Sequence, residues 1–119
     1  MAEIIKVAET DFGPTRLFEA FIDGELAGIA ILNVAQEEII DLMVDSAFRR
    51  RGVATVLIEE LEESAKRSGM RRVFASVFTD NEPSKALWQG RGYQEMMKYE
   101  NWFTKQPTKA RRWLNPQLT

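Results

Sequence analysis

The sequence predicts an α/β protein (α+β mixed sheet). Its strands form one mixed sheet, and the elements follow in the order β-β-β-β-α-β-α-β. Three observations support this fold class. Short apolar segments separated by turn residues fill the first 44 positions, as in an antiparallel meander. The apolar spacing then changes to three and four residues between positions 53 and 65, which indicates an amphipathic helix. A further strand pattern, a short helical segment and a last strand pattern follow.

Four predicted strands form the meander, and they cover residues 4–7, 17–22, 26–34 and 39–44. Turn-forming residues 10–14 connect the first two. Asp23 and Gly24 favour a tight hairpin between the second and third strands, because glycine tolerates positive φ. Gly28 lies inside the third strand and indicates that another part of the chain approaches closely there.

Residues 52–68 predict a long helix, and Gly69 follows it at a position where helices often end. Its apolar residues fall on one stripe. The charged residues are expected on the solvated side: Glu59, Glu60, Glu62, Glu63, Lys66 and Arg67. Residues 72–78 predict the next strand. A strand–helix–strand unit places the fourth and fifth strands parallel and side by side.

The last predicted elements are a short helix, which starts at the N-cap residue Asn81, and a strand over residues 93–99. Residues 100–119 have no clear period and predict a basic, aromatic tail. The tail is either a solvated segment held by Trp113 or a segment that attracts an acidic partner. We expect a single domain over residues 1–119, with its core over about 17–99.

The composition excludes several kinds of site. The chain has 119 residues and no cysteine or histidine, which excludes disulfides, cysteine zinc sites, thiol nucleophiles and Ser-His triads. A formal net charge of −2 disfavours nucleic-acid binding. The sequence has no apolar segment long enough for a membrane span and no secretion-signal pattern, so we expect a cytoplasmic protein.

The loop before the long helix is the most informative segment for function. It reads Arg49, Arg50, Arg51, Gly52, Val53 and Ala54. A helix start presents unpaired N–H groups at the positive end of the helix dipole, which favours anions. Gly52 and Ala54 lack bulky side chains, so a phosphate can approach the amides. The loop therefore predicts a pyrophosphate site.

Arg49-x-x-Gly52-x-Ala54 matches the Gln/Arg-x-x-Gly-x-Gly/Ala motif of the GNAT superfamily of N-acetyltransferases. The strand before the motif and the helix after it resemble that family's fourth strand and central helix. A second segment resembles the family's Asn-x-x-Ala-x-x-Leu-Tyr-x-x-x-Gly-Phe pattern: Asn81-x-x-Ser84-x-x-Leu87-Trp88-x-x-x-Gly92-Tyr93. The resemblance extends from about residue 17 to 99 and implies acetyl-CoA as co-substrate, a primary amine as acceptor and no metal.

The resemblance also implies a role for each matching position. Amides of residues 51–54 would hold the CoA pyrophosphate, and main-chain groups of residues Leu42, Met43 and Val44 would pair with the pantetheine arm. A strand amide near Met43 or Val44 would stabilise the oxyanion. Asn81 would contact CoA or the acceptor, or serve only as an N-cap. These expectations define the CoA side of the site.

The general acid and base are less clear from the pattern. Trp88 stands where many family members have the tyrosine that protonates the leaving thiolate. An indole N–H does not give up its proton, so Trp88 can pack against CoA but cannot act as the general acid. Tyr93 and Tyr99 are the substitutes, although Tyr93 falls at a core position of the motif. Asp41 and Glu38 are the candidates for the base. In a regular strand they face opposite ways, and a bulge would change that.

The segment between the first two strands is too short for the two helices that the family usually has there. We therefore expect an open acceptor side, suited to a protein amine or another bulky acceptor, or covered by a second copy in a homodimer. Three functions stay open: an N-acetyltransferase, a CoA-binding or partner-binding module with little or no turnover, and a scaffold without a ligand.

Overall fold

The computed structural model describes residues 3–78, 81–95 and 110–115. Within them the chain forms seven strands in one sheet, in the order β1-β2-β3-β4-β5-β7-β6. All neighbouring strands are antiparallel except β4 and β5. The strands are β1 (Ile5–Phe12), β2 (Thr15–Ile22), β3 (Glu25–Asn33), β4 (Glu38–Val44), β5 (Val73–Phe78), β6 (Gln94–Glu95) and β7 (Ala110–Asn115).

Two α-helices connect the later strands: α1 (Val53–Arg67) joins β4 to β5, and α2 (Glu82–Gly90) follows β5. A short 3₁₀-helix, Ser46–Phe48, precedes α1. Both ends of α1 are set by glycine, because Gly52 and Gly69 have φ of 82° and 81°. The predicted helix limits, 52–68, are thus confirmed to within one residue at each end.

The core lies between the sheet and α1. Buried and half-buried residues alternate along β2, and the buried ones are Phe18, Ala20 and Ile22. These three pack with Leu57 and Leu61 of α1. Trp88 of α2 belongs to the same cluster. The helices therefore cover one face of the sheet, which we call the helix face. The other face, across β2, β3 and β4, carries no helix of the described residues and is called the open face.

Gly28 is needed where β3 and β4 meet α1. A Cβ atom at this position would lie 2.8 Å from the Met43 carbonyl oxygen and 3.0 Å from Val53 Cγ1. Leu57 Cδ1 would be 3.2 Å away. Only glycine fits without a shift of backbone or side chains, which confirms the close approach expected from the sequence.

β1 and β2 form a hairpin in which only Gly13 and Pro14 lie between the strands. The expected absence of two helices at this point is confirmed. The hairpin is held to α1 by a polar cluster in which Arg16 Nη1 donates to Ser64 Oγ (2.7 Å) and Ser64 Oγ donates to Glu9 Oε2 (2.8 Å). Ser64 is fully buried, so these bonds satisfy its hydroxyl inside the protein.

The sheet corrects the sequence prediction near the C-terminus. Residues 110–115, expected in a tail outside the regular structure, form β7 between β5 and β6. Trp113 is 5% exposed and pairs with Ala75 on one side and Glu95 on the other. The predicted last strand is seen at Gln94–Glu95, and its remaining residues lie outside the described part of the chain. No helix in the described ranges is long and apolar enough to cross a membrane.

Candidate functional site

The start of α1 presents backbone donors without a side-chain cap. Gly52 is the N-cap residue in left-handed conformation, and it makes no side-chain capping bond. The first intrahelical hydrogen bond runs from the Val56 N–H to the Gly52 carbonyl oxygen at 3.1 Å. The N–H groups of Val53, Ala54 and Thr55 precede it and have no acceptor in that turn. They are directed out of the helix end, where the dipole favours an anion.

A cavity of about 280 Å³ lies at this helix start. No carboxylate is among the described residues of its wall, so the donor set fits an anionic group such as a pyrophosphate. The predicted loop residues Arg49, Arg50, Gly52, Val53 and Ala54 all line it, together with two residues that the motif did not indicate, Phe48 and Thr55, and with Val44. Thr55 could have been inferred by counting the three residues that precede the first helical hydrogen bond.

The three arginines of the loop have different environments. Arg49 and Arg50 are exposed. Arg51 does not line the cavity, because its guanidinium pairs with the Glu3 carboxylate and lies 5.1 Å from the centroid of the Phe48 ring. The side chain of Arg51 is therefore held by the N-terminal segment, and only its neighbours are free to turn toward a ligand.

β4 and β5 separate next to this cavity. They pair only at Glu38–Phe74 and Ile39–Ala75, so the strands diverge beyond Ile39. The Asp45 N–H donates to the Ala27 carbonyl oxygen of the β3 side at 2.8 Å. Because the hydrogen-bonding groups of successive strand residues point to alternate edges, Met43 also faces β3, whereas Leu42 and Val44 direct their N–H and C=O groups into the gap. Within the described part of the chain, the gap thus has free main-chain donors and acceptors along one wall.

A bulge in β4 places Glu38 and Asp41 on the same face. Ile39 pairs with Leu32 and Asp41 pairs with Ile31, so Ile40 is the extra residue of the bulge. Ile39 and Leu42 both pack on the core, which leaves Glu38 and Asp41 on the open face. The expectation for a regular strand, that the two face opposite ways, does not apply, and the bulge is the physical reason.

The two carboxylates differ in their contacts. Glu38 accepts a 2.8 Å hydrogen bond from Ser76 Oγ of β5 and is half-buried. Its carboxylate is therefore held in part by β5. Asp41 is also half-buried, and the structure shows no hydrogen bond or ion pair to it from the described residues. Of the two, Asp41 is the carboxylate without a partner among the described residues.

The remaining predicted site residues have structural contacts. Asn81 caps α2, because its Oδ1 accepts from the Ser84 N–H at 3.1 Å. Trp88 is 4% exposed, and its ring centroid lies 4.8 Å from that of Tyr93. This burial supports a core position for Trp88 rather than the predicted contact with CoA. Tyr99 lies outside the described residues.

Comparison with known proteins agrees with this fold. Residues 3–93 match the sequence profile of the Acetyltransferase (GNAT) family. The chain belongs to this family. A GNAT acetyltransferase from Elizabethkingia anophelis, solved with acetyl-CoA bound, has the same fold with a TM-score of 0.78. Its sequence identity is 14%, and the match covers 92% of this chain and 96% of that one.

Two curated relatives of this GNAT chain have defined activities. Thialysine N-epsilon-acetyltransferase of Caenorhabditis elegans is 33% identical over 94 residues, which are 73% of this chain and 59% of the relative. The ribosomal protein bS18-alanine N-acetyltransferase of Escherichia coli is 25% identical over 88 residues, 72% of this chain and 60% of the relative. The chain spans between 56% and 60% of the length of the curated relatives it matches.

Glu62 of the GNAT chain does not lie on the solvated side of the long helix, and the sequence prediction is wrong at this position. Its side chain is 12% exposed. Its Oε2 atom accepts hydrogen bonds from the Tyr93 hydroxyl and from Asn115 Nδ2, both at 2.9 Å. Burial, together with the charge of Glu62 and this hydrogen bond, raises the pKa of Tyr93 far above its ordinary value. Tyr93 is therefore a core residue and cannot replace the missing general acid.

Proposed function

We propose that this chain is an acetyl-CoA-dependent N-acetyltransferase that acetylates a primary amine by direct attack in a ternary complex. The observation that carries the proposal is the anion-suited cavity at the start of α1, directly beside the gap between β4 and β5. Val44 lines the cavity and also borders the gap. A phosphate-bearing donor held at the helix start would extend its thioester along β4.

The donor would be held mainly by main-chain groups. The amides of Val53, Ala54 and Thr55 would bind the pyrophosphate, with Arg49 and Arg50 adding charge. Leu42 and Val44 would pair with the amide groups of the pantetheine arm, because their N–H and C=O groups face the gap. The same alternation favours Val44 over Met43 as the amide that stabilises the oxyanion.

The reaction needs one base and one proton for the leaving group. The acceptor amine loses a proton, forms a C–N bond to the acetyl carbonyl carbon and displaces the thiolate as the C–S bond breaks. Asp41 is the proposed base, directly or through a water molecule, because it lies on β4 beside the gap and has no bound partner among the described residues. Glu38 lies on the same face and is the second candidate. The CoA thiolate can leave without a proton and take one from solvent, since a thiolate is only moderately basic.

The acceptor is proposed to be a protein amine or another bulky amine. The β1–β2 hairpin leaves the open face without a helical cover in residues 3–78, and a site without walls suits an extended acceptor better than a small one. The bS18-alanine relative acts on a protein amine, as its name states. A homodimer and a cytoplasmic location stay predictions from the sequence.

A second function is a CoA-binding module with little or no turnover. Trp88 and the buried Tyr93 favour it, because neither can supply a proton to the leaving thiolate. Calorimetry and an acetylation assay separate the two. Both functions require CoA binding, but only the enzyme consumes acetyl-CoA in the presence of an amine.

The test of the donor site is calorimetric titration of acetyl-CoA into the wild type, Gly52→Glu and Gly69→Glu. Both glycines have φ near 80° and no atom within 4 Å of an added Cβ, so the backbone strain is matched. Gly52→Glu puts a carboxylate at the proposed pyrophosphate site, and we expect it to abolish binding. Gly69→Glu lies at the other end of α1 and should bind like the wild type. Absence of binding by folded wild-type protein would refute the proposal.

A further inference from the structure

The open face of β2, β3 and β4 carries an apolar surface beside the proposed reaction gap. Strand alternation assigns its residues, since Ala30, Leu32, Leu42 and Val44 pack on the helix face. One row across the three strands consists of Leu17, Ile31 and Asp41. The next row consists of Glu19, Ile29 and Met43.

The surface is apolar and accessible to solvent. Met43 is 59% exposed and Leu26 is 48% exposed. Phe21 and Leu26 are cross-strand neighbours that continue the surface toward β1. Leu26 and Met43 adjoin the half-buried Ile29, and a contiguous apolar patch of this kind is typical of a binding surface rather than of a solvated sheet face.

The charges on this face select the kind of partner. Among the described residues, β2, β3 and β4 contribute three acids to it, Glu19, Glu38 and Asp41, and no base. Edge strand β1 adds one base, Lys6, which pairs with Phe21 at the border of the surface. Asp41 and Glu19 have no ion pair with any described residue. A second copy docked through the same face would bring acids against acids, which is unfavourable. A cationic chain with apolar side chains is complementary to both the charge and the surface.

We propose that the acceptor is a peptide whose amine is next to large apolar side chains. It lies extended across two rows of the open face. One row is Leu17, Ile31 and Asp41, and the other is Glu19, Ile29 and Met43. The ammonium group faces Asp41 at the edge of the gap, while the neighbouring apolar side chains contact Ile31 and Leu17. Neighbouring strands are about 4.8 Å apart, so these two contacts are within reach of the residues next to the amine. This inference rests on the proposed acetyl transfer and adds the acceptor class.

The experiment measures peptide binding calorimetrically with CoA present, so that no turnover occurs. Two peptides with a free N-terminal amine differ only in whether the first two side chains are leucine or serine. We expect the leucine peptide to bind about tenfold more tightly. A third peptide, the leucine sequence with its amine blocked by an acetyl group, should bind at least about tenfold more weakly than the free form, because the charge facing Asp41 is lost.

Variants assign the preference to the open face. Ile31→Thr keeps the branched Cβ suited to a strand, and it should reduce the leucine-to-serine affinity ratio from about ten to about two. Phe12→Thr is the control on the same face: Phe12 pairs with Thr15 at the far end of edge strand β1, outside the rows of Ile31 and Ile29, and is 61% exposed. It should leave the ratio unchanged.

Equal affinity for the two free peptides, or a ratio that Ile31→Thr does not alter, would overturn the acceptor class while leaving the CoA site intact. A change of oligomeric state in Ile31→Thr without a change in the ratio would mean that a second copy covers this face, which also overturns it. If the wild type does not bind CoA at all, the proposed function fails first.

Discussion

The hydroxyl group of Tyr93 donates a 2.9 Å hydrogen bond to Glu62 Oε2, the same oxygen that accepts from Asn115 Nδ2. The three residues come from the segment after α2, from α1 and from β7. Arg91 Nη2 lies 3.5 Å from the other oxygen of this carboxylate. One carboxylate therefore joins the helix that starts at the candidate CoA site to the last described strand of the sheet.

We expect Tyr93→Phe to lower the free energy of unfolding by about 1.5 to 3 kcal/mol at pH 7, the range for hydrogen bonds to charged groups. Burial raises the pKa of Tyr93, so the hydroxyl of the unfolded chain ionises near its ordinary value of about 10 while the folded one stays protonated. The stabilisation is complete below about pH 10 and is lost above it. Urea unfolding of both proteins between pH 7 and 11 should show the difference shrinking above pH 10. A constant difference would contradict the raised pKa.

Gly28→Ala should destabilise the protein by about 1 to 3 kcal/mol, because the new methyl group would meet the Met43 carbonyl oxygen and the side chain of Val53. Gly90→Ala is the matched control. Gly90 is the last residue of α2 and has no atom within 4 Å of an added Cβ, so alanine should be neutral or stabilise by about 0.5 to 1 kcal/mol. Thermal or urea unfolding measures both. Equal effects would show that the contact at Gly28 can relax.

The arginines of the loop should differ in their effect on CoA binding. Arg49→Gln and Arg50→Gln should each weaken binding about two- to fivefold, and the effect should decrease at high salt because the groups are exposed. Arg51→Gln should change the affinity less than twofold, since the Arg51 guanidinium is paired with Glu3. Titration at two salt concentrations is the measurement. A loss in Arg51→Gln as large as in its neighbours would mean that this pair opens when CoA binds.

Asp41→Asn should lower kcat about 100-fold or more if Asp41 is the base, with CoA affinity unchanged. Glu38→Gln should have a smaller effect, because the Glu38 carboxylate already accepts a hydrogen bond from Ser76. Steady-state kinetics with a peptide amine, together with CoA titration, separates the chemical step from donor binding. Full activity in Asp41→Asn would move the base to Glu38 or to solvent.

Local signals were sufficient for much of the fold. The two ends of α1 follow from glycines with positive φ, and the Asp23-Gly24 hairpin follows from turn chemistry, since Asp23 and Gly24 have φ of 51° and 80°. The features that the sequence left open or did not indicate depend on contacts between distant residues. The bulge at Ile40 arises from the pairing of β4 with β3, and the burial of Glu62 depends on Tyr93 and Asn115.

For the candidate site, too, one part could be predicted from the sequence and another part could not. The anion-suited loop could be predicted because its chemistry lies in consecutive residues. The relative orientation of Glu38 and Asp41 could not, because strand alternation gives the opposite answer unless the bulge is known. β7 was missed because prolines and basic residues around it weaken the strand pattern, and its apolar residue, Trp113, is buried only between its neighbours.

The strand order β5-β7-β6 imposes an order of assembly on the folding chain. In the described structure β6 pairs only with β7, so it cannot join the sheet until β7 has docked on β5. β7 pairs with a strand about 40 positions earlier, and closing such a loop costs entropy before any contact is gained. The antiparallel meander and α1 use much more local pairings. We therefore expect β1 to α1 to form first, and the docking of β7 to be the slow step that completes the sheet.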